Sequence, residues 1–121
     1  MLLIKAKTGP STIAGTGLFA EELIPKGALV WRFSKDVDSA EPFDIKKQNL
    51  FYSYISKQTG RCITPGDISK HINHSDTPNL ITHYQEGVEE DMQTAAKDIA
   101  AGEELTADYR TFAQEGVDFK N

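Results

Sequence analysis

The sequence predicts a β-rich fold assembled from small pieces of sheet, with one helical insert, and three observations lead there. Four short runs of alternating, β-branched or aromatic residues each stop at turn-forming residues. One stretch carries apolar residues at helical spacing. Two segments far apart in the chain echo each other as strand, glycine turn, strand.

Taken in order, "LLIKAKT" ends at Gly9-Pro10, "GLFAEEL" runs up to Pro25, "ALVWRFS" stops at Lys35-Asp36, and "LITHYQ" stops at Glu86-Gly87. Each is strand-like in composition and is closed by residues that favour turns. Between the third and fourth, "PFDIKKQNLFYSYISKQTG" places Phe43, Lys47, Leu50, Phe51, Tyr54 and Ile55 near one face of a helix, with Gly60 available as the stop. The echo joins "AEELIPKGALV" at 20–30 to "AAKDIAAGEEL" at 95–105. Both share alanine, then isoleucine four positions on, then glycine three later, then valine or leucine. They read as two similar β-hairpin units.

A chain of 121 residues is expected to form a single domain spanning 1–121 with one core. Apolar residues at 39% and charged residues at 26% are ordinary for a globular chain, so it should fold by itself. The start, "MLLIKAKTGP", has three apolar residues before a lysine, too few for a secretory core or a membrane span. An intracellular, cytoplasmic location is the default expectation, with delivery to a host left open. Cys62, alone of its kind, excludes an intrachain disulfide and a multi-cysteine zinc site. The formal charge of −5 argues against binding nucleic acid directly and favours a basic partner.

The decapeptide "HINHSDTPNL" at 71–80 holds two of the three histidines, two asparagines, Ser75, Asp76 and Pro78. Three readings compete. It can be a turn, with Asn73, Ser75 and Asp76 bonding their own backbone. It can hold a metal through His71, His74, His83 and Asp76 or Asp67, though the spacing is irregular and no HExxH is present. Or its amides and imidazole can be fixed hydrogen-bonding groups for a polar ligand.

The third reading gains from two further motifs. "GTGLFA" at 15–20, "HINHSDTPN" at 71–79 and "GEELTADY" at 102–109 follow the order and rough spacing of the SET domain, whose members are S-adenosylmethionine-dependent protein-lysine methyltransferases. The chain resembles that family from about residue 5 to 109, leaving a short tail at 110–121. The resemblance implies a mostly β, SET-type β-clip fold of small curved sheets with a pseudoknot-like C-terminal crossing that brings 73–74 to 109. It also implies that Gly15, Thr16 and Gly17 form the loop that approaches the cofactor, S-adenosylmethionine. Asn73 and His74 match the pair that contacts it by side chain and backbone, and Asn79 closes the motif structurally. Tyr109 matches the active-site tyrosine, contacting cofactor and substrate. If "ELTADY" is a strand, Leu105, Ala107 and Tyr109 share one face. No metal is implied.

Departures from the family's pattern sharpen the expectations. Many members close the lysine channel with a cysteine-rich segment after the tyrosine, whereas this chain ends "RTFAQEGVDFKN". Phe112 is the first candidate for that closure and Phe119 the second, while Tyr52 and Tyr54 are candidates to line the channel. Arg110 stands where the family usually has a small residue. The expected function is methyl transfer to lysine on a basic protein or peptide, without membrane or nucleic-acid partners. The alternatives are a catalytically silent SET-like module and a SAF-type β-clip binding domain. Substrate identity, degree of methylation and oligomeric state are not legible.

Overall fold

The computed structural model describes residues 1–42, 53–57, 59–83 and 92–113. Among these residues, short strands are shared among four small sheets, as short alternating runs interrupted by Gly and Pro require. β1 (Ala6–Pro10) and β2 (Thr16–Ala20) form an antiparallel hairpin, in register from Ala6 opposite Ala20 to Pro10 opposite Thr16. β3 (Leu29–Arg32) and β4 (Ser39–Pro42) follow in separate sheets. β5 (Tyr54–Ile55) and β6 (Arg61–Thr64) join β4 in the antiparallel order β4-β6-β5. β7 (Asn73–His74) leads to β8 (Leu80–His83) and β9 (Met92–Ala95), the latter two completing the antiparallel sheet β3-β9-β8. β10 (Thr106–Ala107) returns to lie parallel to β7.

Two expectations change. The helical insert expected over 42–60 falls mainly on 43–52, outside the described residues, but its C-terminal part is extended. Tyr54 and Ile55 pair with Ile63 and Cys62 of β6, so pairing across the sheet overrides the helical spacing of these two residues. Likewise "ELTADY" is strand only at Thr106–Ala107. Asp108 then caps a 3-10 turn, Tyr109–Thr111, by accepting the Arg110 N–H at 3.0 Å. Among the described residues the other helical turn is also 3-10, Ile68–His71, capped in the same way by Asp67.

The sequence echo is realised as a local twofold. Ile24 and Ile99 exchange both backbone hydrogen bonds at 2.8 Å. Gly27 donates to the Ala95 carbonyl and Gly102 to the Ala20 carbonyl, each at 2.8 Å. Ala95 donates to Ala28 at 3.0 Å, and Ala20 to Glu103 at 2.9 Å. A constant offset of 75 residues maps one set onto the other, and carries the Phe19–Glu104 bridge onto the Thr94–Leu29 pair. Gly27 and Gly102 occupy equivalent corners with φ of 86° and 91°, a region costly for any side chain. Ile24, Ile99, Val30 and Leu105, related in pairs by the same offset, are fully buried in the core together with Leu18. Each such side chain contributes roughly 1.5–3 kcal/mol of burial.

Candidate active site

The loop between β1 and β2 is tied down from within and from across the chain. Ser11 donates its backbone N–H to the Gly15 carbonyl at 2.9 Å, and its Oγ accepts the Ile13 N–H at 2.9 Å. The Ser11 hydroxyl hydrogen goes to the Glu104 carboxylate, 2.8 Å away. Gly15 turns with φ of 43°, a left-handed conformation that favours glycine. At Gly17 the constraint is different. A Cβ there would come within 2.6 Å of Glu104 Oε2, so the missing side chain makes room for that carboxylate.

Asn73, fully buried on β7, reaches this loop. Its Nδ2 lies 2.9 Å from Glu104 Oε2, 3.1 Å from Ser11 Oγ and from the Ala14 carbonyl, and 3.4 Å from the Thr16 carbonyl. All are acceptors towards Asn73, because the Ser11 hydrogen is engaged by Glu104, so the amide nitrogen must face them. The Oδ1 of Asn73 is buried with no hydrogen-bond partner. Such an acceptor is costly unless a donor meets it, by about 1–3 kcal/mol. Asn73 thus supports the loop through Nδ2, while its Oδ1 stays buried without a partner.

The crossing of β7 and β10 sets Tyr109. Thr106 lies opposite Asn73 and Ala107 opposite His74, and Ser75 donates to the Ala107 carbonyl at 3.0 Å. Asn79 holds the neighbouring segment: its Nδ2 donates to the Glu104 carbonyl at 2.8 Å and its Oδ1 accepts the Thr106 N–H at 2.8 Å. Its side chain serves the backbone of the crossing. The Tyr109 N–H donates to His74 Nδ1 at 3.0 Å, and the two rings meet edge to face with centroids 5.2 Å apart. The Tyr109 hydroxyl donates to the Ile72 carbonyl at 2.6 Å. Burial pushes its phenol well above the ordinary value of about 10, so the hydroxyl keeps its proton.

Beside Tyr109 lies a solvent-open cleft of about 440 Å³. Its aromatic wall is a chain of edge-to-face rings, Tyr54 to Phe112 at 4.8 Å and Phe112 to Tyr109 at 5.6 Å. Other residues lining it include Trp31, Gln93 and Ile72. Phe112 is buried and held near the cleft because its carbonyl accepts the Lys57 N–H at 2.8 Å.

The expected residues therefore converge in two connected places. Gly15, Thr16, Gly17 and Asn73 meet at the loop; His74, Tyr109, Tyr54 and Phe112 meet at the crossing and cleft. Tyr52 and Phe119 lie outside the described residues. Sequence reasoning missed Glu104 and Ser11, which bind the loop to Asn73, although Glu104 sits inside the motif "GEELTADY". It also missed Trp31, whose buried Nε1 has no hydrogen-bond partner and whose strand composition carried no other signal. No group of three or more His, Cys, Asp or Glu poised to hold a metal occurs among the described residues.

Small paired hairpins around a local twofold, closed by a parallel crossing that presents a buried tyrosine, define a β-clip protein with a glycine loop on one side of the crossing and an aromatic cleft beside it. The chain belongs to the SET domain family, whose model matches residues 15–110. It is 34% identical over 113 residues to the H3 lysine-4 specific histone-lysine N-methyltransferase of Schizosaccharomyces pombe, covering 84% of this chain and 12% of that protein. It is 31% identical over 109 residues to the Drosophila melanogaster histone-lysine N-methyltransferase Set2, covering 79% of this chain and 5% of that protein. The chain thus spans a small part of these relatives. Among solved structures, KRYPTONITE in complex with mCHH DNA, an H3(1-15) peptide and SAH superposes with a TM-score of 0.69 at 25% identity, covering 97% of this chain and 25% of that one. ctPRC2 in an autoinhibited conformation bound to S-adenosylmethionine gives a TM-score of 0.65 at 25% identity, covering 92% of this chain and 16% of that one.

Proposed function

We propose that this chain transfers a methyl group from S-adenosylmethionine to a lysine side chain on a basic protein segment. The observation that carries the reading is the double fixation of Tyr109, by His74 Nδ1 at its backbone and by the Ile72 carbonyl at its hydroxyl, at the wall of the aromatic cleft. The buried Oδ1 of Asn73, which has no hydrogen-bond partner, fits a ligand bearing amino donors. The Gly15–Thr16–Gly17 loop, Asn73 and His74 are the residues to hold S-adenosylmethionine. When bound, that cofactor supplies a sulfonium-activated methyl group.

The chain's own contribution is orientation and desolvation. A lysine entering between Tyr54, Phe112 and Tyr109 loses solvent, which lowers its ammonium pKa and favours the neutral nucleophile. The Tyr109 hydrogen goes to Ile72, and a phenolic oxygen is also an acceptor, suited to weak CH contacts or an amine N–H. Holding the reacting groups collinear can supply several kcal/mol of the barrier. Tyr109 is neutral and acts as an orienting acceptor rather than a base. The chain's −5 charge favours lysine-rich segments and disfavours free nucleic acid.

Transfer of tritium from methyl-labelled S-adenosylmethionine to histone H3 and to a whole-cell lysate tests the reading. Label on lysine that disappears with Tyr109→Phe is the expected result. Cofactor binding without any transfer would favour a silent SET-like module instead.

A further inference from the structure

We propose that Arg110 is a positioning residue: together with Asp76 it fixes the tautomer of His74 and, through that ring, the backbone of Tyr109. Since His74 Nδ1 accepts the Tyr109 N–H at 3.0 Å, Nδ1 carries no proton and the neutral ring's hydrogen is on Nε2. That Nε2 donates to Asp76 Oδ1 at 3.1 Å. The other neutral tautomer would set two N–H donors face to face at Tyr109 and turn a lone pair on the Asp76 carboxylate.

A second carboxylate works against this arrangement. Asp108 Oδ1 lies 3.9 Å from His74 Nδ1, on the side where a proton would displace the Tyr109 contact. Arg110 binds both acids. Its Nε and Nη2 span Asp108 at 2.9 and 2.8 Å, and Nη2 also reaches Asp76 at 3.1 Å. The guanidinium offsets the attraction of Asp108 for a proton on Nδ1 and holds Asp76 beneath Nε2. Its hydrogen bonds hold the Asp108 carboxyl below the usual carboxylate range. The Arg110 carbonyl in turn accepts from Lys57 Nζ at 2.9 Å, anchoring the turn from β5's side.

His74 is thus oriented from both sides: by Asp76 and Arg110 outside, and by the Tyr109 N–H and ring within. The residue that departs from the family's small residue after the tyrosine has a role in this chain's own geometry. Arg110 is exposed, so its effect is bounded to that of surface ion pairs, up to about fivefold on an equilibrium.

Long-range nitrogen–proton spectra of the 15N-labelled chain read which ring nitrogen of His74 holds the proton. Wild type is expected to show Nδ1 unprotonated at pH 7.5, Arg110→Ala to move it towards the protonated position, and Arg110→Lys to restore it in part. Asp76→Asn, whose amide oxygen still accepts from Nε2, should keep the wild-type tautomer, while Asp76→Ala should not. In methyl-transfer assays Arg110→Ala should lower kcat about fivefold and leave KM for S-adenosylmethionine within twofold. A proton on Nδ1 in wild type, or an unchanged Nδ1 signal in Arg110→Ala, overturns the proposal. If Arg110→Ala fails to fold, Arg110→Lys and Asp76→Ala decide the matter by the same spectra: a wild-type Nδ1 signal in Asp76→Ala overturns the proposal, and a shifted one supports it. The kinetic arm rests on the methyltransferase reading, but the spectral arm does not, so an inactive chain with the expected tautomer counts against the activity alone.

Discussion

The Ile72 carbonyl takes the phenolic hydrogen of Tyr109 at 2.6 Å across 37 positions of sequence. Removing that hydrogen leaves the Ile72 carbonyl without this donor and deletes the oxygen that the proposed mechanism uses at the cleft wall, so Tyr109→Phe should lose most methyl transfer. Affinity for S-adenosylmethionine should change by less than tenfold, about 1.4 kcal/mol, when measured by calorimetry. Near-normal turnover in a folded Tyr109→Phe chain would remove Tyr109 from the chemistry.

Asn73 is predicted to act on the cofactor through the loop. Asn73→Ala removes the Nδ2 contacts to Ser11, Ala14, Thr16 and Glu104 together with Oδ1, leaving only the direct Ser11–Glu104 bond on the loop, and should weaken S-adenosylmethionine binding tenfold or more. Asn73→Asp, though nearer in shape, should melt at a lower temperature than Asn73→Ala. Its carboxylate would stand about where Nδ2 lies now, 2.9 Å from that of Glu104. If the aspartate variant proves the more stable of the two, the orientation assigned to the amide is wrong.

Three glycines should respond differently to alanine. Gly27 and Gly102 have open space around a built Cβ but positive φ, so each substitution should cost on the order of 1–2 kcal/mol in denaturant unfolding, with similar values because the two corners are equivalent. Gly66 has no room: a Cβ would stand 1.6 Å from the Val37 carbonyl, and Gly66→Ala should not give a folded chain. A cost-free Gly102→Ala would contradict the twofold corner geometry.

Stability should fall at both ends of the pH scale for identifiable reasons. Burial alone would raise the Asp67 carboxyl, but hydrogen bonds from the Leu2 N–H and from the Ser69 hydroxyl and N–H outweigh it and bring it below its ordinary value. Asp108 is lowered too, chiefly by Arg110. A lowered carboxylate stabilises the fold above its unfolded value near 4, and that contribution is lost as pH falls through the folded value. Asp67→Asn should therefore flatten the acid limb of the melting curve. Tyr109 behaves with the opposite sign: burial raises it, so its contribution is full below about pH 10 and declines above, where only the unfolded chain releases the proton. Tyr109→Phe should flatten the alkaline limb, followed by thermal melting from about pH 9 to 11.

The order of the three motifs, the short strands and the echo around Ile24 and Ile99 were legible in the chain itself, because turn residues and alternation are local and a repeated unit leaves a repeated pattern. The identity of the residues that meet at the crossing came instead from the resemblance of the three motifs to SET proteins. Helical spacing misled at Tyr54 and Ile55, since a two-residue strand is made by its partner β6 and carries little pattern of its own. What the tertiary structure alone decided are the partners of polar atoms. That Gly17 yields space to Glu104, that the Asn73 amide nitrogen faces inward, and that Arg110 bridges Asp76 and Asp108 around His74 depend on groups brought together by the fold. Ser11 meets Glu104 across 93 positions and Asn73 meets Ser11 across 62. A hydrogen bond needs its two atoms within about 3 Å, and no local periodicity specifies such a distance between residues so far apart.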